Sequence, residues 1–153
     1  TPRFQLEEAK KTFQKEALRT FDELRKRAAA ECSRGTEIIG ALKAAGERAR
    51  KPGRILVLAH GSEQSELMNL YDSRLKLEKR EVRQGLLQRV KARLGLPNLK
   101  DQEVCIAGIT AGNDNNANAR LTTSIKAFWE ELIQASGGRL VGYGTTPRVC
   151  PFL

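Results

Sequence analysis

The chain has 153 residues, of which 40% are hydrophobic and 29% are charged, a composition typical of a soluble globular domain. Its apolar runs are far shorter than the roughly 20 residues of a membrane-spanning helix. The sequence also shows no charged start followed by an apolar stretch, the pattern that would predict a signal peptide. The formal net charge of +9 points to an anionic partner or to solvated basic helix faces.

One domain over residues 1–153 is expected from this length. The chain begins at Thr1 rather than at Met, so we expect a processed product or part of a longer protein. Cys32, Cys105 and Cys150 form an odd set without C-x-x-C spacing. This set predicts reduced thiols in a cytoplasmic protein and no structural zinc site.

Two helices are predicted at the start of the chain. Residues 3–31 carry apolar side chains at steps of three and four, which places them on one stripe of a helix. The stripe consists of Phe13, Ala17, Phe21, Leu24 and Ala28. A second helix is predicted over residues 36–50, with Thr36 as its N-cap, and Pro52 and Gly53 end it.

Three short strands and two further helices follow. Continuous apolar runs bounded by turns predict buried strands at 55–59, 104–109 and 139–144. Amphipathic spacing predicts helices at 72–94 and 119–135. The inward residues of the last helix are Leu121, Ile125, Phe128, Trp129, Leu132 and Ile133.

Strands that alternate with helices predict right-handed crossovers and a parallel sheet. The expected architecture is a three-layer α/β/α fold of the Rossmann-like kind, with a mostly parallel sheet. Ligands of such folds bind outside the carboxyl ends of the strands. His60, Asp114 and Thr145 each follow a predicted strand, so this edge is the expected functional site.

The middle of the chain resembles a von Willebrand factor type A domain over about residues 34–144. The resemblance is carried by "RGTEIIGALKAAGERARKPGRILVLAHGSE", then "VCIAGITAG", then "ASGGRLVGYG". In that family a Gly-Thr pair opens a helix, a buried strand ends in an Asp-Gly turn, and a glycine pair precedes the last strand. The resemblance implies a binding module that holds a partner protein, not an enzyme.

The family carries a magnesium ion on an Asp-x-Ser-x-Ser motif, the Thr of Gly-Thr and the Asp of the Asp-Gly turn. The chain lacks the first motif, and "LAHG" places His60 where the family has the acid. Only Thr36 matches a ligand position. Because Mg²⁺ prefers hard oxygen ligands, we expect no cofactor unless residues upstream of Thr1 supply the missing ligands.

The loops after the strands are the predicted site of partner binding. The candidate residues are Thr36, His60, Gly61, Ser62, Ser65, Asp114, Asn115 and Asn116. His60 is the only histidine of the chain, and its simplest role is a turn residue bonded to a backbone carbonyl. The loop "GNDNNANAR" is either a binding loop or a solvated turn that caps the next helix.

Two other functions compete with protein binding. The +9 charge favours a nucleic-acid binder, whose affinity would fall steeply with salt. A hydrolase would use His60 with Ser62 or Ser33 as nucleophile, although the G-x-S-x-G elbow is absent.

The resemblance also predicts a missing first strand. A sheet without it would expose unpaired backbone groups that tend to pair with another chain. We therefore expect an upstream segment, a separate chain or strand exchange in a homo-oligomer to supply that strand.

Overall fold

The computed structural model describes residues 2–30, 37–59, 64–108 and 115–153. These residues form four α-helices and a three-stranded sheet. The helices are α1 (Pro2–Ala30), α2 (Ile38–Arg48), α3 (Arg80–Arg93) and α4 (Asn115–Ala135), and the strands are β1 (Gly53–Leu58), β2 (Gln102–Ala107) and β3 (Arg139–Gly144). The side chains at 24–25, 27–30 and 115–119 lie outside this description.

The sheet is parallel throughout, with the order β1-β2-β3. Val57 pairs with Ile106, which in turn pairs with Tyr143. Both crossovers move across the sheet in the same direction, so right-handed connections place α3 and α4 on one face. The prediction of an α/β fold with a parallel sheet is confirmed, and the arrangement is consistent with a Rossmann-like fold.

Side chains of β2 alternate between two faces with different coverings. On the helix face, Val104 and Ile106 are fully buried in one cluster with residues of α2, α3 and α4. Phe128 and Trp129 both belong to this cluster, with their ring centroids 5.2 Å apart in an edge-to-face arrangement. The prediction that α4 packs inward is therefore confirmed for these two rings.

The other face, which we call the tail face, is covered by the C-terminal residues. Cys105 forms a disulfide with Cys150, with their Cα atoms 5.7 Å apart. The carbonyl oxygen of Val149 lies only 2.5 Å from where a Cβ at Gly142 would stand. The prediction that Cys105 and Cys150 are reduced thiols is wrong, because the tail folds back over β2 and brings the two sulfur atoms together.

The apolar stripe of α1 differs from the predicted one. Partial burial falls on Gln14, Ala17, Leu18 and Phe21, whereas Phe13 is 54% exposed. The helix contacts the turn at Pro147–Val149, and the ring of Phe21 lies against Gly108. The prediction that Phe13 is covered is therefore wrong, whereas Ala17 and Phe21 of the predicted stripe are partly buried. The side chains of Leu24 and Ala28 lie outside the description.

The second helix starts later than predicted. Its N-cap is Glu37, whose side chain makes no capping bond, and Thr36 lies outside the described residues. The prediction that Thr36 is the N-cap is therefore wrong.

The third helix begins at Arg80, not at residue 72. Asp72 caps a short 3-10 turn by accepting a hydrogen bond from the backbone N–H of Arg74. Lys76 then takes a left-handed conformation with φ of 52°, which a right-handed helix does not continue through. Leu77 is buried in the helix-face cluster, so tertiary packing outweighs the helical charge pattern of this segment.

The fourth helix starts earlier than predicted, and Gly137 ends it as expected. Gly137 has φ of 86°, and the Gly138 N–H donates to the Ile133 carbonyl at 2.9 Å. This arrangement satisfies the last carbonyls of the helix and turns the chain into β3. At the other end, Asn115 and Asn116 belong to the helix, so their predicted placement in a loop is wrong.

Candidate binding site at the carboxyl ends of the strands

The three strands end side by side at the edge where parallel α/β folds bind ligands. Backbone pairing continues one residue beyond the strands, because Ala59 N–H donates to the Ala107 carbonyl and Gly108 N–H donates to the Gly144 carbonyl, both at 3.0 Å. These hydrogen bonds therefore fix the backbone at Ala59 and Gly108, from which the next segments of the chain start.

Five of the eight predicted site residues lie outside the described part of the chain: Thr36, His60, Gly61, Ser62 and Asp114. His60 follows directly after Ala59, whose backbone position is fixed by the pairing with Ala107. Their roles in partner binding stay predictions.

Asn115 and Asn116 open α4, which follows β2 along the chain. The structure therefore places them in the first turn of a helix and not within a long binding loop. Ser33, the other nucleophile considered for a hydrolase, lies outside the described part of the chain.

Ser65 lies in a tight turn after β1. Its N–H donates to the Met68 carbonyl at 2.9 Å, and its hydroxyl oxygen accepts from the Leu67 N–H at 3.3 Å. An isolated antiparallel bridge between Gln64 and Asn69 closes the turn. These bonds give Ser65 a structural role, and its hydroxyl proton is still available to another acceptor.

Two tyrosines at this edge, Tyr71 and Tyr143, are not among the site residues predicted from the sequence. Tyr143 is the penultimate residue of β3, and its buried hydroxyl makes no hydrogen bond. Burial raises the pKa of this phenol well above its ordinary value, and the charge that Tyr71 acquires on ionisation raises it further. Tyr71 itself is 43% exposed, and its N–H donates to the Asn69 side chain at 3.0 Å.

One sequence signal could have indicated this pair. The chain contains only two tyrosines, one just before the end of the last predicted strand and the other shortly after the loop that follows the first. Both segments belong to the carboxyl edge of a parallel sheet, and tyrosine is enriched in protein interfaces.

The described residues contain no group of three or more His, Cys, Asp or Glu that could hold a metal ion. The one residue that matches a magnesium ligand of the resemblance, Thr36, falls outside them. The side chains described at this edge include the phenols of Tyr71 and Tyr143, the amide of Asn69 and the hydroxyls of Ser65 and Thr145, which donate and accept hydrogen bonds.

Among the helices of the described ranges, none is long and apolar enough to cross a membrane.

Comparisons of the chain with protein-family models, with curated proteins and with solved structures find no match.

Proposed function

We propose that this chain is a protein-binding module of the von Willebrand factor type A-like kind, which holds its partner at the carboxyl edge of the sheet. The observation that carries the proposal is the unpaired, buried hydroxyl of Tyr143 beside the half-exposed Tyr71. Thr36, residues 60–65, Asp114 and the first residues of α4 would complete the binding surface.

The energetics of Tyr143 support this assignment. A buried hydroxyl without a partner costs about 1–3 kcal/mol, and such groups in native structures call for a specific explanation. Phenylalanine would fill the same space without that cost. A partner that reaches the edge and bonds the hydroxyl would give the phenol a function that phenylalanine lacks.

Tyr71 suits the same surface for a different reason. Its ring offers a large apolar area with a polar end and loses little conformational entropy on binding, which explains why tyrosines recur in interface hot spots. The 3-10 turn that follows is fixed by Asp72, whose side chain bonds both the backbone and the guanidinium of Arg74. Tyr71 therefore stands on a segment that is already ordered.

Photo-crosslinking tests the proposal. A photoreactive phenylalanine analogue replaces Tyr71 in the full chain, and the crosslinked protein is identified by mass spectrometry and then purified. We expect Tyr143→Phe, Tyr71→Ala and His60→Ala each to weaken its binding by about tenfold or more, the effect of losing one interface anchor.

Arg93 at the end of α3 is exposed and provides the control position. A crosslinker there should not capture the same partner, and Arg93→Ala should leave its affinity unchanged. Binding that survives Tyr71→Ala and Tyr143→Phe, or that falls steeply with salt, would contradict the proposal and favour the nucleic-acid alternative.

A cytoplasmic location is part of this proposal and is at odds with the Cys105–Cys150 disulfide, since disulfides persist mainly in oxidising compartments. Acid quenching of cells, followed by alkylation of the denatured protein and mass spectrometry, would show whether Cys105 is free or disulfide-bonded. A disulfide-bonded Cys105 would argue against a cytoplasmic location.

A further inference from the structure

The tail (residues 147–153) is attached to the sheet by the Cys105–Cys150 disulfide rather than by hydrogen bonds. Among the described residues, its backbone hydrogen bonds stay within residues 146–153, where the N–H groups of residues 149, 150 and 153 donate to the carbonyls three positions earlier at 3.0 to 3.2 Å. The tail therefore folds on itself and makes no backbone hydrogen bond to the described parts of the strands.

The noncovalent contacts between the tail and the strands are small. Val149 faces Gly142 and Gly144, which have no side chain to bury, and is itself 39% exposed. The Phe152 ring lies 5.5 Å from the guanidinium carbon of Arg54, whose side chain is 61% exposed, and a cation–π contact is weak at an exposed site. The disulfide is thus the principal attachment of the tail.

The first helix, α1, is in turn attached to the tail. It contacts the turn at Pro147–Val149, in which Pro147 is buried, and the Phe21 ring lies against Gly108. None of the described side chains of α1 is fully buried, and the half-buried ones lie at residues 14, 17, 18 and 21. Because most helical stability in proteins comes from packing of one face, this long helix depends on a few contacts.

The core on the opposite face of the sheet does not include these elements. The helix-face cluster contains residues of α2, α3, α4 and all three strands, but no residue of the tail and none of the described side chains of α1. The strands pair with one another along their length. This part of the fold is therefore complete without the disulfide.

The tail face has apolar side chains of its own. In the register of the sheet Leu56 pairs with Cys105 and Leu58 pairs with Ala107, and paired residues lie on the same face. Both leucines are half-buried, and neither belongs to the helix-face cluster. Movement of the tail and α1 would uncover this face while the other stays covered.

We infer that the Cys105–Cys150 disulfide is a redox switch for the position of α1. In the oxidised chain the disulfide holds the tail on β2, and the tail holds α1. Reduction releases the tail and α1 together, while the sheet and the other three helices stay folded. An oxidising compartment would keep the tail face covered, and a reducing one would open it.

The switching reaction is a thiol–disulfide exchange with a dithiol. One thiolate of the dithiol attacks Cys150 Sγ, the S–S bond breaks, and the electron pair leaves on Cys105 Sγ, which takes up a proton. The second thiolate attacks the mixed disulfide, so that Cys150 leaves as a thiol and the dithiol becomes a disulfide. Two electrons and two protons pass to the protein. Cys105 is 0% and Cys150 2% exposed, so a local opening of the tail precedes the attack.

Hydrogen–deuterium exchange with mass spectrometry tests the inference on the full chain. The substitution Cys32→Ser prevents the third cysteine from exchanging with the pair. The oxidised protein is compared with the same protein in dithiothreitol. Exchange in residues 14–21 should become faster by about tenfold or more, as expected for a locally opening unit that loses its attachment. On the same timescale β2 and α4 should stay protected, and reoxidation with oxidised glutathione should restore the slow exchange.

Three variants of this protein serve as controls. Cys150→Ala leaves Cys105 in place and should exchange like the reduced chain even without dithiothreitol. In the oxidised chain, Phe21→Ala should speed the exchange of residues 14–21, because it removes the contact with Gly108. Phe13→Ala changes the same residue type at a position of α1 that is exposed, and it should have no such effect.

Three results would overturn the inference. Exchange in residues 14–21 that reduction does not change would show that α1 is held independently of the disulfide. Loss of protection in β2 and α4 together with α1 would show that the disulfide stabilises the whole fold and switches nothing. Equal effects of Phe21→Ala and Phe13→Ala would show that exchange reports the stability of the helix itself rather than its attachment.

Discussion

The two faces of the sheet are stabilised in different ways. On the helix face, large side chains such as Phe128, Leu132 and Ile106 are completely buried in one cluster. On the tail face, the strands present the small residues Gly142 and Gly144 to Val149, and a disulfide joins Cys105 to the tail. The same strands thus carry a hydrophobic core on one side and a covalent attachment on the other.

Burial alone does not explain the stability of the tail face. Apolar area removed from water stabilises by about 25 cal/mol per Å², and glycine contributes almost none of it. The tail, at residues 147–153, is also too short to form a layer with its own core. A cross-link restricts the unfolded chain instead, and close approach of the tail backbone depends on the missing Cβ atoms.

The largest difference is expected between two phenylalanines. Phe128→Ala removes a fully buried ring and should lower the free energy of unfolding by about 3–5 kcal/mol. Phe13 in α1 is 54% exposed, so Phe13→Ala should change it by less than about 0.5 kcal/mol. Chemical denaturation followed by circular dichroism measures both, and equal losses would show that α1 belongs to the core.

The disulfide should come next in size. Its sequence separation of 45 residues gives about 4 kcal/mol in the chain-entropy treatment, within a usual range of about 2–4 kcal/mol. The double variant Cys105→Ala/Cys150→Ala should lose this amount and be insensitive to reductant. The unmodified chain should lose a similar amount when reductant is added, and no response would mean that the tail face does not depend on the cross-link.

Substitutions at two glycines, Gly142 and Gly85, test the close approach of the tail to β3. A Cβ at Gly142 would stand 2.5 Å from the Val149 carbonyl oxygen and 2.8 Å from Cys105 Sγ. Gly142→Ala should therefore destabilise by about 1–3 kcal/mol. Gly85 in α3 has open space around it, so Gly85→Ala should stabilise by about 0.5–1 kcal/mol. A stabilising effect at both positions would show that the tail is not seated on β3.

The smallest effect concerns Tyr143 on the helix face. Removing its unpaired hydroxyl in Tyr143→Phe should raise the free energy of unfolding by about 1 kcal/mol. Burial raises the pKa of this phenol in the folded state, so its contribution to stability is complete below the ordinary tyrosine pKa of about 10 and is lost as the pH rises beyond it.

Alkaline unfolding checks that sign. The unmodified chain should lose stability above about pH 10, whereas Tyr143→Phe should lose less. Tyr71→Phe removes only the smaller, charge-based cause of the raised Tyr143 pKa and should change the profile less than Tyr143→Phe does. An alkaline unfolding profile that Tyr143→Phe leaves unchanged would contradict the assignment of the raised pKa to this phenol.

Local sequence patterns correctly predict those helices and strands whose observed packing follows the same pattern. The apolar run at β1, the periodicity of α4 and the Gly137–Gly138 pair all appear in the structure at or near the predicted residues. In each case one short segment contains both the signal and the residues that satisfy it. The parallel sheet follows from their order, since alternating strands and helices allow few other topologies.

The features that the sequence does not predict depend on residues far apart in the chain. Nothing near Cys105 indicates Cys150, because the pairing requires the tail to return over β2. The turn before α3 carries a helical charge pattern, yet burial of Leu77 selects another conformation. The ion pairs at the amino ends of the strands join Arg54, Glu103 and Arg139 from three strands, and no motif links them.

The bridge between β2 and the tail makes a covalently closed ring of the segment that contains α4 and β3. A protease that cuts once between Cys105 and Cys150 would therefore leave all pieces in one molecule until a reductant is added. A cut before Cys105, for example in the turn at Ser73–Leu75, would instead divide the chain into two separable fragments. Digestion patterns with and without reductant would thus report directly on which half of the protein opens first.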